Sequence, residues 1–94
     1  MKLRYTRRAK TDLSEIFDYI TQDNTHAAAR IVTKIRNSLT SLTANPSLGR
    51  PGRVDDTREL VIPHTSYIVA YRIHENEIQV LAIIHVAQLW SDTL

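Results

Sequence analysis

The side chains in this sequence that could do chemistry are four histidines, nine arginines and scattered carboxylates, with no cysteine. His26, His64, His74 and His85 fall at a helix start, two turns and a strand end, with no i, i+4 pair. The ligand spacing of a zinc site is therefore missing, and neither a metal nor another cofactor is expected. No Gly-rich phosphate loop, Ser/His/Asp signature or paired acidic site occurs, which argues against a conventional small-molecule enzyme. His85 suits either an acid–base role near neutral pH or a hydrogen-bonded place at a strand end. Arg72 interrupts an apolar run, and a guanidinium is rarely buried alone. It either pairs with a carboxylate, Glu59 or Glu77, or meets a target.

The formal charge is only +2, yet nine of the twelve basic residues are arginines. Five basic groups, Lys2, Arg4, Arg7, Arg8 and Lys10, precede the first acid, Asp12. Guanidinium groups suit phosphate, carboxylate and aromatic faces, so this segment is either a solvated basic face or a surface for an acidic partner or nucleic acid. Arg50 and Arg53 lie on a Gly- and Pro-rich loop, where binding and simple solubility are equally good readings. The basic start has no apolar segment behind it, and the longest purely apolar run, Val80 to Ile84, is too short to span a bilayer. A cytoplasmic protein with no membrane contact is expected.

These groups must be positioned by the elements that the hydrophobic period dictates. Leu3 and Tyr5 alternate with charges over Lys2 to Thr6, the pattern of a half-buried strand. Ala9, Leu13, Ile16, Phe17 and Ile20 then form one helical stripe. Asp23-Asn24-Thr25 breaks it and offers an N-cap to a second helix carrying Ala28, Ile31, Ile35, Leu39 and Leu42. That helix stops near Asn45, because the residue before Pro46 avoids the helical region. The segment from Pro46 to Thr57 reads as an exposed loop. Strands follow at Arg58 to Ile62, Tyr67 to Ile73 and Ile78 to Ile84.

The 94 residues thus predict one α+β domain over 1–94, in the order β-α-α-β-β-β, with a helical hairpin on one face of a small, mainly antiparallel sheet. If Ile73 lies opposite Ile78, then Tyr67, Val69, Tyr71 and Ile73 share the helix-facing side with Ile78, Val80, Ala82 and Ile84. Ile68, Ala70 and Arg72 would then share the other face with Gln79, Leu81, Ile83 and His85. Two helices cannot easily cover both faces, so this second face is expected to meet the C-terminal tail, a partner, or both. Tyr19, Tyr67 and Tyr71 read as core by their periodicity, with stacking platforms as the other reading.

Over essentially its whole length the sequence resembles the RelE/ParE toxin superfamily of type II toxin–antitoxin systems. The resemblance lies in the element order, in Asp12-Leu13-Ser14-Glu15-Ile16-Phe17-Asp18-Tyr19-Ile20, and in Asn45-Pro46-Ser47-Leu48-Gly49-Arg50-Pro51-Gly52. It continues in Thr57-Arg58-Glu59-Leu60-Val61, in Tyr67-Ile68-Val69-Ala70-Tyr71-Arg72-Ile73 and in Val80-Leu81-Ala82-Ile83-Ile84-His85. The resemblance implies a toxin neutralised by a cognate antitoxin. RelE-like members cut mRNA in the ribosomal A site, and ParE-like members poison DNA gyrase. A metal-free ribonuclease needs a base or orienting group, cations for the phosphate and an acid for the leaving oxygen. Here the Arg that RelE-like toxins carry after the matching Tyr67 is Ile68, and their basic cluster after the last strand is replaced by Val86-Ala87-Gln88-Leu89-Trp90. Ile84-His85 is similar to the last-strand ending of ParE-like toxins.

The resemblance therefore implies, first, a gyrase-binding toxin without catalytic residues. The alternatives are a ribosome-dependent ribonuclease, using Arg72 and His85, and an inert antitoxin-binding or repressor subunit. Target contacts are expected at Arg50, Arg53, Arg72, His85, Gln88 and Trp90. The implied antitoxin is ParD-like or related, with an acidic tail, and DNA is reached only through it. Its contacts are expected at Ile16, Tyr19, Ile20 and Arg30 on the hairpin and at Ile68, Leu81 and Ile83 on the second face.

Overall fold

The computed structural model describes residues 1–87. Strand β1 (Lys2–Tyr5) leads into helix α1 (Arg7–Thr21) and helix α2 (Thr25–Ala44), followed by a 3₁₀ turn (Pro46–Leu48). Strands β2 (Arg50–Pro51), β3 (Arg58–Val61), β4 (Tyr67–His74) and β5 (Glu77–His85) complete the described chain. The sheet has the order β1-β5-β4-β3-β2, with β1 parallel to β5 and the other pairs antiparallel. This is the α+β arrangement expected from the sequence, with one strand more.

Each helix begins where a side chain can take the free amides of the first turn. The Thr6 hydroxyl accepts from the Ala9 amide (3.2 Å) and donates to the Val80 carbonyl (2.8 Å), so one residue ends β1, starts α1 and ties both to β5. Asn24 caps α2 through the Ala27 amide (3.0 Å). Ala9, Leu13 and Ile16 of α1 and Ile35, Leu39 and Leu42 of α2 are buried against Val69, Tyr71, Ile78, Val80 and Ile83 of the sheet. Burial of roughly this many aliphatic side chains, at about 1.5–3 kcal/mol each, is what drives the hairpin onto the sheet. The β4–β5 turn is two residues long, and Glu75 and Asn76 both have positive φ (49° and 62°). That conformation matches the twist of a tight hairpin and sets Ile73 opposite Ile78, as expected.

The structure corrects two readings of the sequence. The segment after α2 is not a plain loop. The Tyr71 hydroxyl donates to the Pro46 carbonyl (2.7 Å) and accepts from the Gly49 amide (2.8 Å), while Arg58 donates to the Gly49 carbonyl (2.7 Å). A Cβ on Gly49 would stand 2.7 Å from the Tyr71 ring, so glycine is what allows this approach. Pinned in this way, Arg50–Pro51 pairs with β3 as a short fifth strand.

The second correction concerns β5. Its register against β4 shifts between Ala70 and Tyr71: Tyr71 faces Val80, but Ala70 faces Ala82, and Leu81 bulges between them. One extra residue exchanges the faces of everything beyond it. Ile83 therefore turns toward the helices and is 3% exposed, whereas Ala82 and Ile84 join Ala70 on the open face. The bulge is held from the helix side. Thr6 also reaches the Leu81 carbonyl (3.3 Å), and the Asp12 carboxylate accepts from the Ile83 amide (2.9 Å) with Arg8 beside it (3.4 Å).

Candidate functional site

With one face of the sheet under the helices, the other, open in the sense that no described helix covers it, changes character along its length. At the end near the β4–β5 turn, Arg4 of β1, Gln79 of β5 and Arg72 of β4 form one row across three strands. Arg72 Nε donates to Gln79 Oε1 (2.6 Å), Gln79 Nε2 donates to Glu77 Oε1 (2.9 Å), and Arg4 lies 3.6 Å from the same carboxylate. The hydrogen bond from Gln79, with Arg4 close by, holds the Glu77 carboxyl below the usual carboxylate range. Arg72 is thus an exposed group whose side-chain partner is an amide. Neither of the carboxylates expected for it bonds to it directly. Glu77 is reached only through Gln79, and Glu59 has other partners.

Farther along, the face is apolar: Ala70, Ala82 and Ile84 are buried, with Ile68, Leu81 and Val54 packed around them. Val54 comes from the segment between β2 and β3. Glu59, 5% exposed, accepts from the Arg53 amide (3.1 Å) and pairs with Arg50 (3.4 Å), which fixes that segment. Arg50 and Arg53 are therefore tied down by one buried carboxylate, while the Arg53 side chain stays exposed. Ile68 and Leu81 lie on this face as expected, but Ile83 does not.

Arg72 and His85 are not brought together. Arg72 stands opposite Gln79, and His85 opposite Tyr67, five residues along β4 and so roughly 17 Å away at about 3.3 Å per residue. They also lie on opposite faces. His85 packs edge-on against the core-facing Tyr67 (ring centroids 5.7 Å apart, 86° between planes) and its Nδ1 accepts from the Ala87 amide (3.1 Å). Among the described residues no group of three His, Cys, Asp or Glu could hold a metal ion. Gln88 and Trp90 lie outside the described residues.

The helix side carries several grooves, of which two bear on partner binding. One, of about 550 Å³, is lined by Tyr5, Leu13, Phe17 and Val32, with Lys10 and Arg36 at its rim. Burial pushes the Tyr5 hydroxyl above its usual range, partly offset by the Arg36 charge. The sequence pattern did not single out this groove. Its one visible signal was Phe17, an apolar residue at the edge of the α1 stripe, which is 37% exposed. The other groove is lined by Tyr19, Tyr67, His64 and His85 beside Ile16 and Ile83. Of the residues expected to meet a partner on the hairpin, Ile16 is buried, Ile20 half-buried and Arg30 exposed. Tyr19 is 70% exposed and so is not a core residue.

Residues 3–90 match the family model described as the ParE toxin of the type II toxin–antitoxin system, parDE. The chain belongs to the ParE toxin family. It is 41% identical over 99% of its length to the protein Y4kP of Sinorhizobium fredii, covering 96% of that protein. It is 34% identical to Toxin RelE1 of Caulobacter vibrioides, over 83% of this chain and 85% of the relative. A solved chromosomal ParDE toxin–antitoxin structure from P. aeruginosa superposes with a TM-score of 0.81 at 32% identity, covering 90% of this chain and 95% of that one. As a family member this chain is the toxin component of a type II system, and its helical hairpin and mixed sheet are the family's architecture. No helix among the described residues is long and apolar enough to cross a membrane.

Proposed function

We propose that this ParE-family toxin acts by binding DNA gyrase and stabilising its DNA-cleaved state, without catalytic residues of its own. The observation that carries the reading is the separation of Arg72 from His85, at opposite ends and on opposite faces of the β4–β5 ladder. A metal-free ribonuclease has to gather its cationic and acid–base groups around one phosphate, and these two cannot share one. Ile68 at the position after Tyr67 points the same way. Purified toxin with gyrase should produce gyrase-dependent DNA breaks, and with translating ribosomes it should leave A-site mRNA intact. Ribosome-dependent cutting that disappears in Arg72→Ala and His85→Ala would overturn the reading. That alternative is favoured by the relatives named RelE1 and RelE2, at 34% and 31% identity. An inert antitoxin-binding subunit would leave growth unaffected on induction, and arrest of growth is the expected result.

The partner is proposed to be a cognate antitoxin with an acidic tail that becomes ordered on the toxin. The solved relatives include toxin–antitoxin complexes. The groove between Tyr5, Phe17 and Val32 offers apolar contacts within a rim of Lys10 and Arg36, which suits an acidic amphipathic helix. The outer edge of β1 suits an added strand. Coexpression of the adjacent small gene should relieve the growth arrest. Hydrogen exchange should show protection along α1, α2 and β1; protection confined to one loop would exclude the wrapping model.

A further inference from the structure

The open sheet face is basic at one end for a reason that the antitoxin groove does not supply. Lys2, Arg4 and Arg72 stand exposed there, with Glu77 as the nearby carboxylate in the row's hydrogen-bond network. Around the β1 edge the same surface continues through Arg7 and Lys10. Between Arg4 and Arg72 lies Gln79, so the surface is polar and follows the sheet, unlike the apolar-floored groove on the helix side. An acidic peptide laid across it would gain charge contacts but little apolar burial. A polyanion needs only the charge.

We propose that this end of the sheet face, the row Arg4–Gln79–Arg72 with Lys2 beside it, docks on the phosphate backbone of duplex DNA. The strands carrying Arg4 and Arg72 are two inter-strand spacings apart, about 10 Å, which covers roughly three phosphates along one strand of a duplex. Tyr5, Tyr67 and Tyr71 all face the helices, and single-stranded nucleic acids are recognised by stacking splayed bases on aromatic platforms. The row offers none. Gln79 is tied at both ends, its oxygen by Arg72 and its nitrogen by Glu77, which leaves little of the amide to read a base edge. The contact is therefore independent of sequence. The resemblance alone implied DNA contact only through the antitoxin; this surface gives the toxin a direct one. Its biological meaning rests on the gyrase reading, in which the toxin works beside DNA already held by its target.

The test is fluorescence anisotropy of a labelled duplex with the purified full chain across a salt series, with no gyrase present. Three phosphate contacts predict a slope of log K against log salt of about −2.7. Arg4→Gln with Arg72→Gln should remove about 1.8 from that slope and weaken binding roughly 50-fold at 0.1 M salt. Arg30→Gln with Arg36→Gln, both exposed on α2 and away from this surface, should change affinity less than twofold. Arg4→Lys with Arg72→Lys should retain the slope, and circular dichroism with thermal unfolding checks that all three pairs of substitutions fold. No binding by the unaltered chain would overturn the proposal. So would equal losses from both Gln pairs, which would mean net charge alone, or preference for a single strand or an acidic peptide over the duplex at equal charge. Because gyrase is absent, these outcomes leave the gyrase reading untouched. A failed gyrase-cleavage assay would in turn leave the DNA measurement standing.

Discussion

The two ends of the open sheet face are built from the same two strands and held by opposite means. At the polar end, Arg72, Gln79, Glu77 and Arg4 are joined by side-chain contacts in water, where each contact adds little to stability. At the apolar end, Ala70 and Ala82 are fully buried, and a segment fastened by one buried carboxylate is folded beside them. One end is therefore free to change without loss of fold, and the other is part of the fold. A ligand at the polar end would be sensed through charge and salt. A partner at the apolar end would be sensed through burial.

The largest effect should come from placing charge at the wrong end. Ala70→Asp would put an unpaired carboxylate in a fully buried site beside Glu59, and it should cost at least about 3 kcal/mol by urea unfolding. Arg72→Ala at the other end should change stability by less than about 0.5 kcal/mol. Similar losses from both would break the comparison. A smaller effect is expected for Glu59→Ala, which deprives the Arg53 amide and the Arg50 guanidinium of their acceptor. It should cost about 1–3 kcal/mol. Amide exchange should quicken from Arg53 to Thr57 while β4 stays protected; faster exchange along β4 would mean that Glu59 supports the sheet itself.

The smallest effect belongs to Glu77. Its folded pKa is depressed by the Gln79 hydrogen bond first and by Arg4 thereafter. The stabilisation that results is present above the unfolded carboxyl pKa and is lost as pH falls through the lower folded value. An NMR titration should find the Glu77 carboxyl ionising below the usual range in the unaltered chain and closer to it in Gln79→Ala. No upward movement in that variant would show that the nearby charges of Arg4 and Lys2 set the shift without the Gln79 hydrogen bond.

Features that depend on local spacing could be read from the sequence. The stripe of Ala9, Leu13 and Ile16, the Asn24 cap, the stop before Pro46 and the facing of Ile73 and Ile78 each involve residues within a turn or a hairpin of one another. What could not be read depends on residues far apart in the chain. Val80 to Ile84 is apolar throughout, so its period gives no clue to which residue bulges. The bulge at Leu81 is set by Thr6 and Asp12, more than 70 positions earlier. The strand at Arg50–Pro51 depends in the same way on Tyr71 reaching back to Gly49 and Pro46. Arg72 and His85 looked close because a regular ladder would have placed them on one face. The bulge removed that, and the length of β4 separated them.

The hydrogen bond that the Ile83 amide donates to Asp12 also bears on how the molecule avoids its own kind. β1 pairs with β5 only as far as Val80, so the outer side of β5 beyond that point is a short length of unpaired backbone. Such an edge is a template on which another chain can crystallise a further strand and begin an aggregate. Asp12 occupies the Ile83 donor there and sets a carboxylate in the path an incoming backbone would take. A charge borne by the neighbouring helix thus acts as a stopper on this stretch of β5 alone, while the outer edge of β1 stays open to a partner strand.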